Sequence, residues 1–154
     1  MAGFSTYTEG KVLEWIFKQT AMPSAPTVLA FSLHSADPGD TGASELANSG
    51  GYARASLAPD TNNSTNTNYN AKSVAGGTTT MTNKLDIAFP AATADWNSAA
   101  AIQYWAIWDS ATYGGGNCLC SGTIGPGGGG VVVKNGTTLK WLGGSPGNWS
   151  LALD

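Results

Sequence analysis

The stretch Ala101-Ile102-Gln103-Tyr104-Trp105-Ala106-Ile107-Trp108-Asp109-Ser110 carries the clearest fold signal in this chain. Its side chains alternate between two sets, and both sets contain large apolar residues. Ile102, Tyr104, Ala106 and Trp108 form one set, while Gln103, Trp105, Ile107 and Asp109 form the other. A strand with bulky side chains on both faces has to be covered on both sides. The stretch therefore predicts the central strand of a sheet.

Shorter patterns typical of strands lie on both sides of this stretch. They cover residues 27–35, 52–58, 85–89, 118–124, 131–133, 137–142 and 148–154. Asn135-Gly136 predicts a tight hairpin between two of them. The Asn- and Thr-rich residues 60–83 predict an exposed loop with an edge hairpin. About seven to nine strands without helices between them predict an all-β fold, an antiparallel β-sandwich or jelly roll with one N-terminal α-helix.

That helix is predicted at the start of the chain. Thr6 and Glu9 have the spacing of a capping box, and the helical pattern ends at Pro23. The apolar stripe is too wide for one narrow contact and contains Val12, Leu13, Trp15, Ile16 and Phe17. The helix either covers one open end of the β core or attaches to another protein. We predict an attachment segment at residues 1–22 and a single β-sandwich domain at residues 23–154.

Composition excludes several function classes. The chain has 154 residues, of which 11% are charged, and its formal net charge is −3. Without a basic stripe it cannot bind nucleic acid by neutralising phosphates, and no apolar run reaches the ~18 residues that a membrane helix needs. The first residues also lack the segments of a signal peptide. Six Trp, five Tyr and four Phe exclude a disordered chain.

The titratable residues give no pattern that predicts catalysis. His34, the only histidine, lies beside a predicted turn and is expected to be a packed or solvent-facing residue. Asp86 and Asp109 are the only carboxylates on predicted strands, and a hydrolase acting on cell-envelope sugar would depend on them. We therefore predict that the protein is not an enzyme and uses no cofactor.

Metal-ligand and cysteine patterns are also weak. Asp37, Asp40 and Glu45 offer oxygen ligands for calcium, but their spacing does not fit an EF-hand loop. The prediction there is a Pro-Gly turn capped by Asp, with no metal. Cys118 and Cys120 are two residues apart, so on a strand they point to one face at the far edge of disulfide geometry. We predict two free, buried thiols.

Three tryptophans near predicted strand ends or loops are candidates for surface aromatics. They are Trp96, Trp141 and Trp149. On a surface rich in Ser and Asn, such rings stack on sugars or pack on a partner protein. The alternative for each of them is packing in the core.

Five segments, in this order, resemble a family of small virion proteins of tailed bacteriophages. They are Ser5-Thr6-Tyr7-Thr8-Glu9-Gly10-Lys11-Val12-Leu13, Leu29-Ala30-Phe31-Ser32-Leu33-His34-Ser35-Ala36-Asp37-Pro38-Gly39, Gly50-Gly51-Tyr52-Ala53-Arg54, Ile87-Ala88-Phe89-Pro90-Ala91-Ala92 and Tyr104-Trp105-Ala106-Ile107-Trp108-Asp109-Ser110-Ala111. Members of that family are called tail-fibre, cement, decoration or structural proteins. From Gly125 onward the chain departs from the pattern. The resemblance implies a role in the virion and no catalytic residues.

A capsid cement or decoration protein needs an apolar attachment element, a rigid β body and an inert outer face. The helix, the predicted sandwich and the loop at 60–83 supply these three parts. We therefore predict a protein made in the host cytoplasm that binds the major capsid protein or another virion protein on the capsid surface. It is expected to form a dimer or trimer and to bind neither nucleic acid nor membrane. The alternative is a tail or fibre component that binds a host-surface glycan.

Overall fold

The structure is a computed structural model that describes residues 3–61, 66–125, 129–144 and 150–153. Within these residues the α-helix α1 covers Thr6–Lys18. The strands are β1 Gly3–Phe4, β2 Leu29–His34, β3 Ala55–Leu57, β4 Ser73–Ala75, β5 Thr78–Thr82, β6 Ile87–Ala88, β7 Tyr104–Trp108, β8 Cys118–Thr123, β9 Lys140–Trp141 and β10 Ser150–Leu153. In the described part of the chain, no helix has the length and apolar character needed to cross a membrane.

Strand β7 lies in the middle of a five-stranded sheet with the order β1-β8-β7-β2-β3. Every neighbouring pair in this sheet is antiparallel. Ile107 lies opposite Phe31 of β2 on one side and opposite Cys120 of β8 on the other. The predicted central strand is therefore confirmed. Ile102 is an exception to the predicted sides, because it lies before β7 and packs with Trp105 and Ile107.

Side-chain alternation gives this sheet two different buried faces. One face enters the main apolar core, whose members include Phe31, Leu33, Phe89, Ile102, Trp105, Ile107, Cys120 and Trp141. The rings of Phe31 and Phe89 both meet the Trp141 ring edge to face, with centroids 5.9 Å and 5.4 Å apart. The opposite face carries a smaller apolar cluster of Ala30, Ala106, Trp108 and Cys118. Buried polar side chains also lie on that second face.

Two smaller sheets complete the described β structure, one with the order β10-β5-β4 and one formed by β6 and β9. Strands β4 and β5 form the hairpin predicted within residues 60–83, with Gly76 and Gly77 at its turn. A mostly β fold with antiparallel sheets and an N-terminal helix is thus confirmed. The finer arrangement as a sandwich or jelly roll stays a prediction.

The hairpin predicted at Asn135-Gly136 is wrong, although the turn itself forms. The Thr137 amide donates to the Lys134 carbonyl at 3.0 Å, and Gly136 has a φ of 80°. The flanking segments then pair with other parts of the chain, because Val131 forms a bridge with Ile102 and β9 pairs with β6. Contacts with distant strands outweigh the local preference for a hairpin.

Cys118 and Cys120 are free and buried, as predicted. They do not share a face, because the register shifts between Ile107 and Trp108, so that Ile107 lies opposite Cys120 and Trp108 opposite Cys118. This irregularity sends one thiol to each side of the sheet. Burial raises the pKa of Cys118 to about 11 and that of Cys120 to about 12, so both thiols stay protonated at neutral pH.

The Trp108 ring packs against Gly42, and this contact gives a testable prediction. Gly42 has a φ of +74°, and a Cβ there would lie 2.5 Å from two atoms of the ring. We expect Gly42→Ala to lower the free energy of unfolding by about 1–3 kcal/mol more than Gly76→Ala does. Gly76 also has a positive φ, but a Cβ there meets nothing within 4 Å.

Urea denaturation of the two glycine variants measures this difference. Both substitutions place alanine in the left-handed region and therefore have this backbone cost in common. The difference between their losses of unfolding free energy measures the steric clash with Trp108. Equal losses would show that the ring imposes no steric limit at Gly42.

Candidate functional site

Helix α1 is joined to the main sheet through its first turn. Ser5 is the N-cap, and its side chain accepts a hydrogen bond from the Thr8 amide. The Ser5 amide and the Thr8 hydroxyl both donate to the Leu119 carbonyl of β8, at 3.0 Å and 2.8 Å. The predicted capping box of Thr6 and Glu9 is wrong, because the cap lies one residue earlier.

Beyond this turn, the large apolar side chains of α1 lie in solvent. No residue of α1 is buried. The exposed fraction is 54% for Leu13, 56% for Trp15, 55% for Ile16 and 76% for Phe17. We call these four residues the apolar helix face. Val12 beside them is half-buried, so the five residues predicted to attach the protein do not close the β core.

Two charged side chains of α1 beside the apolar helix face pair with each other. Lys11 and Glu14 form an ion pair with each other at 2.9 Å. The residues after α1, 19–25, are all exposed and include Met22. Several large exposed apolar side chains on one helix of a folded domain are typical of a protein–protein contact.

A cleft with a volume of about 300 Å³ lies elsewhere on the molecule. We call it the polar cleft, and its polar lining residues are Ser35, Glu45, Ser49, Asp95, Asn97 and Ser98. The Gly50 carbonyl links its two walls by accepting hydrogen bonds from the Thr93 amide and the Trp96 indole, at 2.9 Å and 2.8 Å. These bonds fix the two walls of the cleft relative to each other.

One wall of the polar cleft has a strained backbone. Asn97, Ser98 and Ala99 have φ values of 51°, 52° and 60°. Each residue held in this left-handed region costs about 1–3 kcal/mol. The Trp96 amide donates to Val133 at 3.0 Å, which fixes the start of the turn. The surrounding structure thus compensates for the strain and sets the shape of the wall.

Two of the three tryptophans considered as surface aromatics are buried in the structure. Trp96 is 3% exposed and packs edge to face on Tyr52 with centroids 5.3 Å apart. Trp141 is 9% exposed and lies between Phe31 and Phe89. Both are core residues because their rings fill the space around these aromatic neighbours. Trp149 lies outside the described residues.

Arg54 lies at the centre of the buried polar face of the main sheet. Its Nε and Nη2 donate to the two carboxylate oxygens of Glu45 at 2.8 Å and 2.7 Å. Its Nη1 donates to the carbonyls of Ser110 and Gly115, and the guanidinium lies 3.9 Å from the centroid of Trp108. Glu45 is therefore the acid partner of a buried arginine and not the calcium ligand considered from the sequence.

His34 extends the same buried network. Its Nδ1 donates to the Ala43 carbonyl at 2.6 Å, so in the neutral ring Nε2 accepts from the Ser32 hydroxyl at 2.7 Å. The Trp108 indole donates to the same hydroxyl at 2.7 Å. Ser32 and His34 are both 0% exposed. This Ser–His pair is closed to a substrate and serves to fix the fold.

The network predicts a dependence of stability on pH. Burial lowers the pKa of His34 below its usual 6.5, an effect only partly offset by the bond to Ala43 and the charge of Glu45, and Arg54 lowers it further. The unfolded chain therefore binds a proton at His34 more readily than the folded chain. The resulting stability is fully present above the unfolded pKa and is lost as the pH falls through 6.5 towards the folded pKa.

We expect the urea midpoint of the protein to fall as the pH is lowered from about 7 to about 5. In His34→Gln the same curve is expected to be flatter, since no other histidine is present. Parallel curves for the two proteins would assign the loss of stability to other groups.

The aspartates singled out in the sequence hold loops. Asp86 accepts from the Gly143 amide at 2.8 Å, and Asp109 accepts from the amide and side chain of Asn117. Asp37 accepts from the Gly39 amide at 2.9 Å, as expected for a capped turn. Within the described residues, no three His, Cys, Asp or Glu side chains form a group suited to a metal ion.

Comparison with known proteins adds one finding to this geometry. Residues 3–128 match the family described as podophage GP4 fiber I protein gp80. The chain belongs to this family. No individual curated protein matches it in sequence. The matched region includes α1 and the whole five-stranded sheet, and it ends before β9 and β10.

Membership of the gp80 fibre family confirms the virion role that the sequence resemblance implied. It gives no support to the capsid cement prediction and agrees better with the alternative of a tail or fibre component. The resemblance segments include the buried residues Ser32, His34, Tyr52, Arg54 and Trp108. In the structure Ser32, His34, Arg54 and Trp108 form the network on the second face of the sheet. The Tyr52 ring packs in the main core, and its hydroxyl donates to Glu45 at 3.2 Å, so these motif residues stabilise the fold.

The sequence alone does not indicate three features of the site. Glu45 lies in a loop with no periodic pattern, and only its contact with Arg54 reveals its role. The polar cleft joins residues near 49 to residues near 97, which are distant in the chain. The three consecutive left-handed residues had no signal either, because none of them is glycine.

Proposed function

We propose that this chain is a structural subunit of a podophage tail fibre. The observation that carries the proposal is the match of residues 3–128 to the gp80 fibre family. A fibre subunit has to be held in an assembly, and a charged content of 11% suits a protein that does not need strong self-repulsion in solution. We also propose that its sheets form a sandwich or jelly roll. Residues 1–22 are then an attachment segment, and residues 23–154 are the β domain.

Attachment occurs through the apolar helix face. Its four side chains are at least half exposed, and α1 lies inside the region that matches the family. Burial of exposed aromatic and aliphatic side chains is the main source of affinity at protein interfaces. The partner is another virion protein, or a second copy of this chain in a dimer or trimer, with a complementary apolar surface.

The second proposed role of the subunit is recognition of the host. In this proposal the fibre subunit binds a glycan on the host surface and performs no catalysis. The polar cleft supports this role because it is preformed and lined by hydroxyl, amide and carboxylate groups.

Stoichiometry in purified virions tests the proposal. Quantitative mass spectrometry gives the molar ratio of this chain to the major head protein. A fibre subunit is expected at a ratio far below one, because fibres are few compared with the subunits of the head lattice. A ratio close to that of the head lattice would contradict the fibre assignment and restore the cement prediction.

A further inference from the structure

The polar cleft contains hydrogen-bonding groups that the fold leaves unused. In the described part of the chain, the hydroxyls of Ser49 and Ser98 make no hydrogen bond with protein atoms. Asp95 holds the Asn135 amide with Oδ1 at 2.8 Å, while its second carboxylate oxygen has no protein partner among those residues. Asn97 donates only a long bond of 3.4 Å to Ala101.

The backbone that carries these groups is fixed in place before any ligand arrives. The Gly50 carbonyl ties the two walls together, and the left-handed turn at residues 97–99 sets the position of Asn97 and Ser98. A preorganised backbone lowers the entropic cost of binding, because only side-chain rotations remain to be restricted. The cleft therefore suits a small, polar ligand with several hydroxyl groups.

The charge of the polar cleft restricts the class of ligand further. The guanidinium of Arg54 neutralises Glu45, but Asp95 forms no ion pair in the described part of the chain. An unpaired carboxylate repels anionic ligands and accepts hydrogen bonds from neutral hydroxyls. The volume of about 300 Å³ lies at the small end of ligand pockets.

We infer that the polar cleft binds a single neutral sugar residue of a host-surface glycan. The Asp95 carboxylate accepts a hydrogen bond from one ring hydroxyl, and the Asn97 amide donates one to the adjacent hydroxyl. Ser49 and Ser98 contact the edges of the same ring. Trp96 is buried below the cleft, so recognition depends on hydrogen bonds and not on stacking. The inference rests on the proposed fibre function and adds to it the site and the ligand class.

Chemical-shift mapping on the full chain tests the site. The probes are the methyl glycosides of glucose, galactose and N-acetylglucosamine, and those of glucuronic acid and N-acetylneuraminic acid, each at millimolar concentration. We expect at least one neutral sugar to shift the amide signals of Ser49, Gly50, Asp95, Asn97 and Ser98. Neither acidic sugar is expected to do so.

Two variants locate the binding. Asp95→Asn keeps the bond to Asn135 but removes the charge, and we expect it to weaken sugar binding about tenfold. Asp86→Asn is the matched control, because Asp86 also accepts one backbone amide at 2.8 Å, and it is expected to leave binding unchanged. If Asp95→Asn does not fold, the double variant Ser49→Ala, Ser98→Ala takes its place with the same expectation.

The inference is overturned if no neutral sugar shifts these amides, if the acidic sugars bind equally well, or if the cleft variant binds like the control. Such a result leaves the fibre assignment in place, because copy number and position in the virion do not depend on the cleft. A head-lattice stoichiometry would instead remove the fibre assignment without deciding whether the cleft binds sugar.

Discussion

Replacement of Arg54 by Met is expected to lower the free energy of unfolding by about 3–5 kcal/mol, because it leaves a buried carboxylate without its cation. The side chains of Arg54 and Glu45 are 0% and 9% exposed, so water cannot replace the lost partner. The carbonyls of Ser110 and Gly115 lose their donor in the same variant. Urea denaturation at neutral pH measures the loss.

The matched control is Lys140→Met. The ammonium of Lys140 lies 4.0 Å from the Asp86 carboxylate, and both side chains are about half exposed. Exposed pairs of this kind contribute little, so we expect a change below about 0.5 kcal/mol. Adding Glu45→Gln to Arg54→Met is expected to recover part of the loss, because an amide is cheaper to bury than an unpaired carboxylate. Similar small losses for Arg54→Met and Lys140→Met would contradict the central role of the buried pair.

The double variant Trp15→Ser, Phe17→Ser is expected to lower incorporation into virions by about tenfold or more. Buried aromatic anchors contribute about 2 kcal/mol or more each at interfaces, and about 1.4 kcal/mol corresponds to a factor of ten. Because both rings are more than half exposed in the isolated chain, its free energy of unfolding is expected to change by no more than about 0.5 kcal/mol. The measurement is the amount of variant chain in particles purified from a complemented deletion phage.

Val74→Ser and Leu142→Ser provide the control for this experiment. Their side chains are 66% and 52% exposed but lie on β4 and just after β9, outside α1. We expect normal incorporation for both. Full incorporation of the Trp15 and Phe17 variant, with its fold intact, would show that the apolar helix face does not attach the protein. Substitution is preferable to removal of residues 1–22, since β1 is itself a strand of the main sheet.

The central strand and the helix could be predicted because their signals are local. The alternation within Tyr104–Trp108 determines which side chains face each side of β7, and the wide apolar stripe marks α1. Ile102 lies before this strand and packs in the main core with Trp105 and Ile107, so the alternation fails there. The helix cap was misplaced by one residue because Ser5, Thr6 and Thr8 are all residues that cap helices well. The bond from the Thr8 amide to the Ser5 side chain identifies Ser5 as the cap in the structure.

Features that depend on distant contacts could not be predicted in the same way. Trp96 is buried because Gly50 and Val133 bind its indole and amide, and neither partner is near it in sequence. The opposite orientation of Cys118 and Cys120 comes from an irregular register against β7. The polar cleft depends on the contacts of Gly50 with Thr93 and Trp96, which are distant from it in the chain, so its residues form no pattern in the sequence.

The position of this chain on the virion tests the central claim most directly. Antibodies raised against the full chain and labelled with gold can be imaged on intact phage particles by electron microscopy. The fibre assignment predicts label on the tail fibres and none along the head. Label spread evenly over the head lattice would contradict it.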